Sequence, residues 1–274
     1  MDTPHPRRQG RRAFLAGAVV AAAEVAVLAS GTGRALARSR TPVSTIPPLT
    51  PRDPMTALVP PLPKFIRSGP NTQPRVAITV DDMFTAANAD DLNALLDVAK
   101  AKSVKLSLFP TGGALQTHLD AGKAAVWQRA VTEGHEIGNH TYSHANLTKL
   151  TDAQIRDELG RTRDVLAKVL GTVPYKMRLM RPPGGAGGFV DGGDPRIQKI
   201  NAEFGYSMAM WTIDSNNTAG NASFADKVVN TAQNGSIALF HFATFSERNF
   251  APMLDRLRTE RKLEPTNITG LFGL

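Results

Sequence analysis

From Arg75 onward the chain alternates short apolar runs with longer amphipathic stretches. The short runs, rich in β-branched residues, fall at about 75–80, 104–109, 177–181, 207–211 and 236–241, and their length and composition predict strands. Between them, apolar residues recur three and four positions apart near 90–101, 117–132, 152–170, 194–204, 222–233 and 249–262, which predicts helices. Thr151-Asp152 ahead of Ile155, Leu159 and Leu166 supplies a helix start. A further short strand is predicted through Glu136 to Asn139. Strands alternating with helices predict an α/β fold with a parallel sheet, and this many units suits a barrel better than a small open sheet. Reactive residues in such barrels lie at the C-terminal ends of the strands. No internal repeat is present in the sequence.

The region before Arg75 reads differently. Residues 38–74 are proline-rich without sustained periodicity, the pattern of an extended linker or of a strap laid over the domain. Residues 1–37 resemble a twin-arginine-type export signal: Arg11-Arg12 opens an Ala/Val-rich segment, and Ala35-Leu36-Ala37 has the form of a cleavage site. A retained membrane anchor is the alternative, but the apolar segment contains Glu24 and is short of the roughly 20 residues a span requires. The expected organisation is therefore an export signal (1–37), a linker or strap (38–74) and a single folded domain (75–274), with no stable membrane insertion after cleavage.

Composition narrows the chemistry. The 42% apolar content is enough for a substantial core. With no cysteine in the chain, disulfides and thiolate ligands are excluded, so a metal would be held by nitrogen and oxygen. The net charge of +8 raises a nucleic-acid reading, but the export-signal region holds five Arg against Asp2 and Glu24, and Arg256, Arg258, Arg261 and Lys262 read as the solvated face of a helix. Basic-aromatic interleaving is lacking, so nucleic acid is not the expected partner. Attraction to an anionic cell-wall polymer stays open.

Five polar groups stand at predicted strand ends. Val76 to Val80 lead into the adjacent carboxylates Asp81-Asp82, which repel one another unless a cation lies near. Strand alternation would send the two in different directions, one toward a metal and the other toward a substrate. His140 and His144 are four positions apart, a spacing that would place both rings on one face of a helical turn. His135 reads as support for the turn after Gly134. Arg181-Pro182-Pro183-Gly184-Gly185 stops a strand with a stiff loop whose glycines let backbone approach a ligand. Trp211-Thr212-Ile213-Asp214 and Ile237-Ala238-Leu239-Phe240-His241 supply an acid and a base, a pairing that favours an imidazolium for acid catalysis. Each group alone has an ordinary reading as a cap, a turn or a structural ion pair.

In this order, the five groups resemble the motifs of the polysaccharide deacetylases, the NodB-homology group or carbohydrate esterase family four, over about Arg75 to Leu257. The resemblance implies a distorted (β/α) barrel, usually seven-stranded, with one divalent ion, zinc first and cobalt or another as alternatives. By position, Asp81 matches the catalytic base, while Asp82, His140 and His144 match the metal ligands. Arg181 matches the arginine that orients the base, His241 the general acid, and Asp214 the acid supporting that histidine. Leu239 matches the residue lining the acetyl pocket, and Gly184 and Trp211 fall in the substrate groove. The implied activity is removal of N-acetyl groups from N-acetylglucosamine or N-acetylmuramic acid units of an extracellular polymer by a monomeric exported enzyme. An O-acetyl esterase on a polymer such as xylan and a catalytically silent glycan-binding barrel are the alternatives. The chain departs from the pattern at Met83-Phe84, where Gly-Pro is usual, at Gly184, where an aromatic residue is common, and at Thr218, where many relatives carry tryptophan.

Overall fold

The computed structural model describes residues 61–82, 88–189, 193–214, 222–242 and 247–274. The expected export signal, residues 38–60, Met83-Phe84 and Thr218 lie outside these residues.

Nine short strands are present among the described residues: β1 (Phe65–Ile66), β2 (Arg75–Asp82), β3 (Ser107–Pro110), β4 (Glu136–Ile137), β5 (Leu179–Met180), β6 (Ser207–Ala209), β7 (Ile213–Asp214), β8 (Ile237–His241) and β9 (Glu264–Thr266). The helices are α1 (Asn88–Ala101), α2 (Gly112–Asp120), α3 (Ala125–Thr132), α4 (Asp152–Leu170), α5 (Pro195–Phe204), α6 (Ala222–Thr231), α7 (Glu247–Thr259) and α8 (Ile268–Leu271). One sheet runs β1-β6-β5 and the other β4-β3-β2-β8-β7, all pairings being parallel. A parallel bridge between Asn139 and Met180 joins β4 to β5, so β2 to β8 form a distorted (β/α) barrel. At this irregular junction the Tyr175 hydroxyl accepts from Ile137 N (2.5 Å) and donates to Ile137 O (2.7 Å), serving a backbone that lacks a strand partner there. β1 and β9 are additions that pair with β6 and β2. Phe65–Ile66 thus pair as a strand within the proline-rich stretch.

Strand alternation sorts β2 cleanly. Val76, Ile78 and Val80 join the large core between strands and helices, whereas Ala77 belongs to a smaller cluster with Ile66, Phe109, Leu179, Ala209 and Ile237 that fills the barrel. Thr79 and Asp81 share the inward side with Ala77. The end where the strands begin is closed by α8: Ile268 N donates to Ser107 Oγ (2.8 Å), Thr269 N to Glu136 (3.1 Å), and Arg75 Nη1 to Gly270 O (2.6 Å). Asp82, Asp214 and His241 stand at the opposite end, where β2, β7 and β8 finish.

The single helix expected over 117–132 is two helices. The chain turns at Gly122 (φ 69°), where the Gly122 and Lys123 amides return to Leu119 O and His118 O. α2 also begins earlier than its apolar pattern predicts, because Thr111 Oγ1 caps the Ala114 amide at 3.1 Å and two glycines with no hydrophobic signal form its first turn. The Thr151 start of α4 is as expected, with a reciprocal Thr151–Gln154 cap.

His135 ties the turn after Gly134 to the approach of β3: its Nδ1 accepts from Leu106 N at 3.0 Å. Burial, reinforced by the charge of Lys105, depresses its pKa to about 4 from 6.5. The stability that the neutral ring contributes is present above pH 6.5 and is lost as pH falls toward 4, amounting to about 3 kcal/mol. Urea unfolding across this range should show the loss in the native protein. His135→Asn keeps an acceptor for Leu106 N without a titrating group, so its curve should be flatter by about that amount.

Candidate active site

Asp82, His140 and His144 offer one ligand atom each within 4.8 Å of one another. Asp82 Oδ1 lies 3.3 Å from His144 Nε2 and 3.5 Å from His140 Nε2. That oxygen is buried and accepts no hydrogen bond, a costly state for a carboxylate without a cation. Two ligands at about 2.0–2.1 Å from a tetrahedral ion lie about 3.3 Å apart, so the donor set and its spacing fit a divalent metal. Burial alone would raise the Asp82 carboxyl pKa, but the facing imidazoles of His140 and His144 outweigh it and hold it far below the carboxylate range. His144 is raised in turn by Asp82. His140 is buried while the His144 side chain is 40% exposed, so the cluster is open to solvent on one side.

Backbone strain concentrates here. Of the five non-glycine residues with positive φ among the described residues, three are Asp82 (84°), Thr141 (63°) and His144 (61°). Such conformations persist where surrounding structure holds them. Alternation would aim Asp82 outward with Val80; its positive φ breaks that pleat and turns the carboxylate to the imidazoles. His140 and His144 do not sit on a helical turn, contrary to the expectation from their spacing. They belong to a loop after β4, and the two left-handed residues bring their rings to 5.1 Å between centroids.

Neighbouring elements hold that loop. Gly112 N and Gly113 N, at the start of α2, donate to Thr141 O and Tyr142 O, and Asn139 Oδ1 accepts from Thr141 N. His140 Nδ1 lies 2.8 Å from Arg181 O, which orients Nε2 toward Asp82. Glu158 of α4 accepts from Tyr142 N, Ser143 N and Ser143 Oγ at 2.7–2.8 Å. Nothing in the sequence distinguished Glu158 from the other acids of an amphipathic helix. Glu158→Ala should weaken zinc binding by about 10-fold or more, the scale of outer-shell losses, in competition with a chromophoric chelator. Glu158→Gln, which keeps an acceptor, should recover part of it.

Arg181 and Asp81 form a second, drier unit. Arg181 is fully buried, and its Nη1 donates to Asp81 Oδ1 and Thr79 Oγ1, both at 2.7 Å. Its Nε and Nη2 donate to Ala209 O (2.9 Å) and Met210 O (3.2 Å), and the guanidinium lies over Phe109 at 4.2 Å. Burial lowers the Arg181 pKa, opposed by Asp81 and Asp214. Asp81 Oδ2 points toward His140 Nε2, 3.8 Å away. Strand register sets Asp81 beside His241 and Thr79 beside Leu239, while Asp214 of β7 is opposite Leu239. Asp81, Leu239, His241 and Asp214 therefore share the inward side at one end of the barrel. Leu239 is buried, His241 and Asp214 are half-buried, Gly184 is exposed at φ 59°, and Trp211 lies 5.6 Å from Arg181.

The family profile described as Polysaccharide deacetylase matches residues 68–209. The chain is 29% identical over 182 residues to the peptidoglycan-N-acetylmuramic acid deacetylase PdaC of Bacillus subtilis, covering 66% of this chain and 34% of that protein. It is 28% identical over 176 residues to a peptidoglycan-N-acetylglucosamine deacetylase of Bacillus cereus, covering 64% and 58%. The chain thus spans between about a third and three-fifths of the length of these relatives. Among solved structures, a mutant of the CE4 family pseudoenzyme BA3943 of Bacillus anthracis, with restored enzymatic activity, superposes with a TM-score of 0.63 at 26% identity, over 78% of this chain and 72% of that one. With the profile spanning just over half of its length and the motif residues gathered at one end of a distorted barrel, the chain belongs to the polysaccharide deacetylase family.

Proposed function

We propose that the protein is a metal-dependent deacetylase that removes N-acetyl groups from amino-sugar units of a cell-wall polysaccharide. The observation that carries this reading is the division of labour between adjacent carboxylates: Asp82 faces two imidazoles, while Asp81 is fixed by a buried arginine. Similarity to peptidoglycan deacetylases of two bacilli supports the substrate class. Since a structural neighbour is named a pseudoenzyme, it matters that Asp81, Asp82, His140, His144 and His241 are all present here.

A divalent ion held by Asp82, His140 and His144, zinc in this reading, supplies a Lewis acid for the acetyl carbonyl and lowers the pKa of water. Asp81 has one oxygen committed to Arg181 and the other, Oδ2, available to take the proton from the attacking water. The C–N bond then breaks as His241 gives a proton to the leaving nitrogen, forming acetate and a free amine. Asp214 is assigned to support the protonated form of His241, and Leu239 to line the pocket for the acetyl methyl. Exposed Gly184 leaves the rim beside Arg181 open to a long chain.

In the same reading the protein is exported through its twin-arginine-type N-terminus, acts as a monomer and meets its polymer outside the cytoplasm. No helix among the described residues is long and apolar enough to cross a membrane. Acetate release should be measured on peptidoglycan, N-acetylglucosamine oligomers and acetylated xylan, with zinc or cobalt added. Release from an N-acetylated substrate is expected; release from xylan alone would replace this reading with the O-acetyl esterase.

A further inference from the structure

The 181–189 loop ends in an aromatic ring that the motifs do not account for. Phe189 is 46% exposed, one of two large apolar side chains so exposed among the described residues. Its ring is nevertheless held. A Cβ at Gly185 would lie 2.1 Å from Phe189 Cε2, so the absence of a side chain there makes room for the ring. Trp211 meets it in a perpendicular contact at 5.0 Å between centroids, and the Arg67 guanidinium lies 5.6 Å from its centre. Contacts continue inward: Trp211 lies 5.6 Å from Arg181, and Arg181 donates to Asp81. A braced aromatic ring left open to water, and linked through Trp211 and Arg181 to Asp81, is the mark of a ligand surface.

We propose that Phe189, braced by Trp211, is a stacking platform for a pyranose ring of the polymer next to the unit being deacetylated. The proposal rests on the deacetylase reading and deepens it. One face of a β-linked hexosamine ring presents C–H bonds with partial positive charge, which suit the negative face of an aromatic ring. The platform is contiguous with the Asp81–Arg181 unit through Trp211, so a chain threaded along it presents its next unit to the base.

The test compares native protein with Phe189→Ala and Phe189→Tyr on N-acetylglucosamine monomer and tetramer, in zinc-loaded protein. Acetate release and tryptophan fluorescence titration are both read, the latter because Trp211 touches Phe189. Phe189→Ala is expected to raise KM and Kd for the tetramer about tenfold, matching one aromatic contact, with kcat within about twofold and a smaller change for the monomer. Phe189→Tyr should return both values toward native. Equal KM and Kd in Phe189→Ala and native protein would overturn the platform while leaving the deacetylase reading standing. A fall in kcat with no change in KM would also overturn it, since the ring would then only support Trp211 and Arg181. Tetramer binding that depends on Phe189 without acetate release would keep the platform and remove the activity.

Discussion

Asp81→Asn should retain about one zinc per chain yet lower turnover by about 10³-fold, whereas Asp82→Ala should lose both the metal and the activity. The two residues are adjacent and chemically identical, so only their surroundings separate them. Asn at position 81 keeps an oxygen for Arg181 Nη1 but cannot take a proton at the position of Oδ2, and loss of a general base costs on the order of 10²–10⁴ in rate. At position 82 the carboxylate oxygen has no hydrogen-bond donor and faces two imidazole nitrogens at 3.3 and 3.5 Å. Removing it leaves two nitrogens, too few to hold the ion. Metal content by mass spectrometry and acetate release on one preparation of each variant decide the matter. Near-native turnover in Asp81→Asn would show that the base lies elsewhere.

Arg181→Met should be the most destabilising single change at the site, by about 3–5 kcal/mol, because it leaves Asp81 charged and buried without its partner. The loss extends further: Ala209 O, Met210 O and Thr79 Oγ1 each lose a donor in the same step. Denaturant unfolding of the metal-free protein measures this apart from metal affinity. The double variant Asp81→Asn, Arg181→Met should recover part of the stability, since it no longer buries a lone charge. A single-variant loss below about 1 kcal/mol would mean that water reaches the pair.

Several features of this chain were legible one residue at a time. The apolar runs ending at Val80, Met180 and Phe240 mark strands of the barrel, because an inner strand covered on both faces must be apolar along most of its length. The Thr151 helix start was legible because a cap is a local interaction. The identities of the polar groups were legible too, since each stands where an apolar run stops. The very short strands β1 and β9 were not: two or three residues carry no period, and pairing with a distant strand defines them. The break between α2 and α3 was hidden because apolar positions continue through it.

Sequence by itself determined the barrel class and the identity and order of the polar residues at the strand ends, because residue type, periodicity and strand ends are written locally. Tertiary structure alone decided the geometry that makes them a site. The His140–His144 spacing read as a helical turn, yet the rings converge from a loop whose left-handed residues are held by α2, Glu158 and the Arg181 carbonyl. Alternation sends Asp81 and Asp82 to opposite sides of β2, but the turn of Asp82 toward the histidines depends on its positive φ, which residue type does not encode. Phe189 stood outside every motif and gains its place only from Gly185 and Trp211. Contacts of this kind join residues far apart in the chain, and only the closed barrel sets their distances.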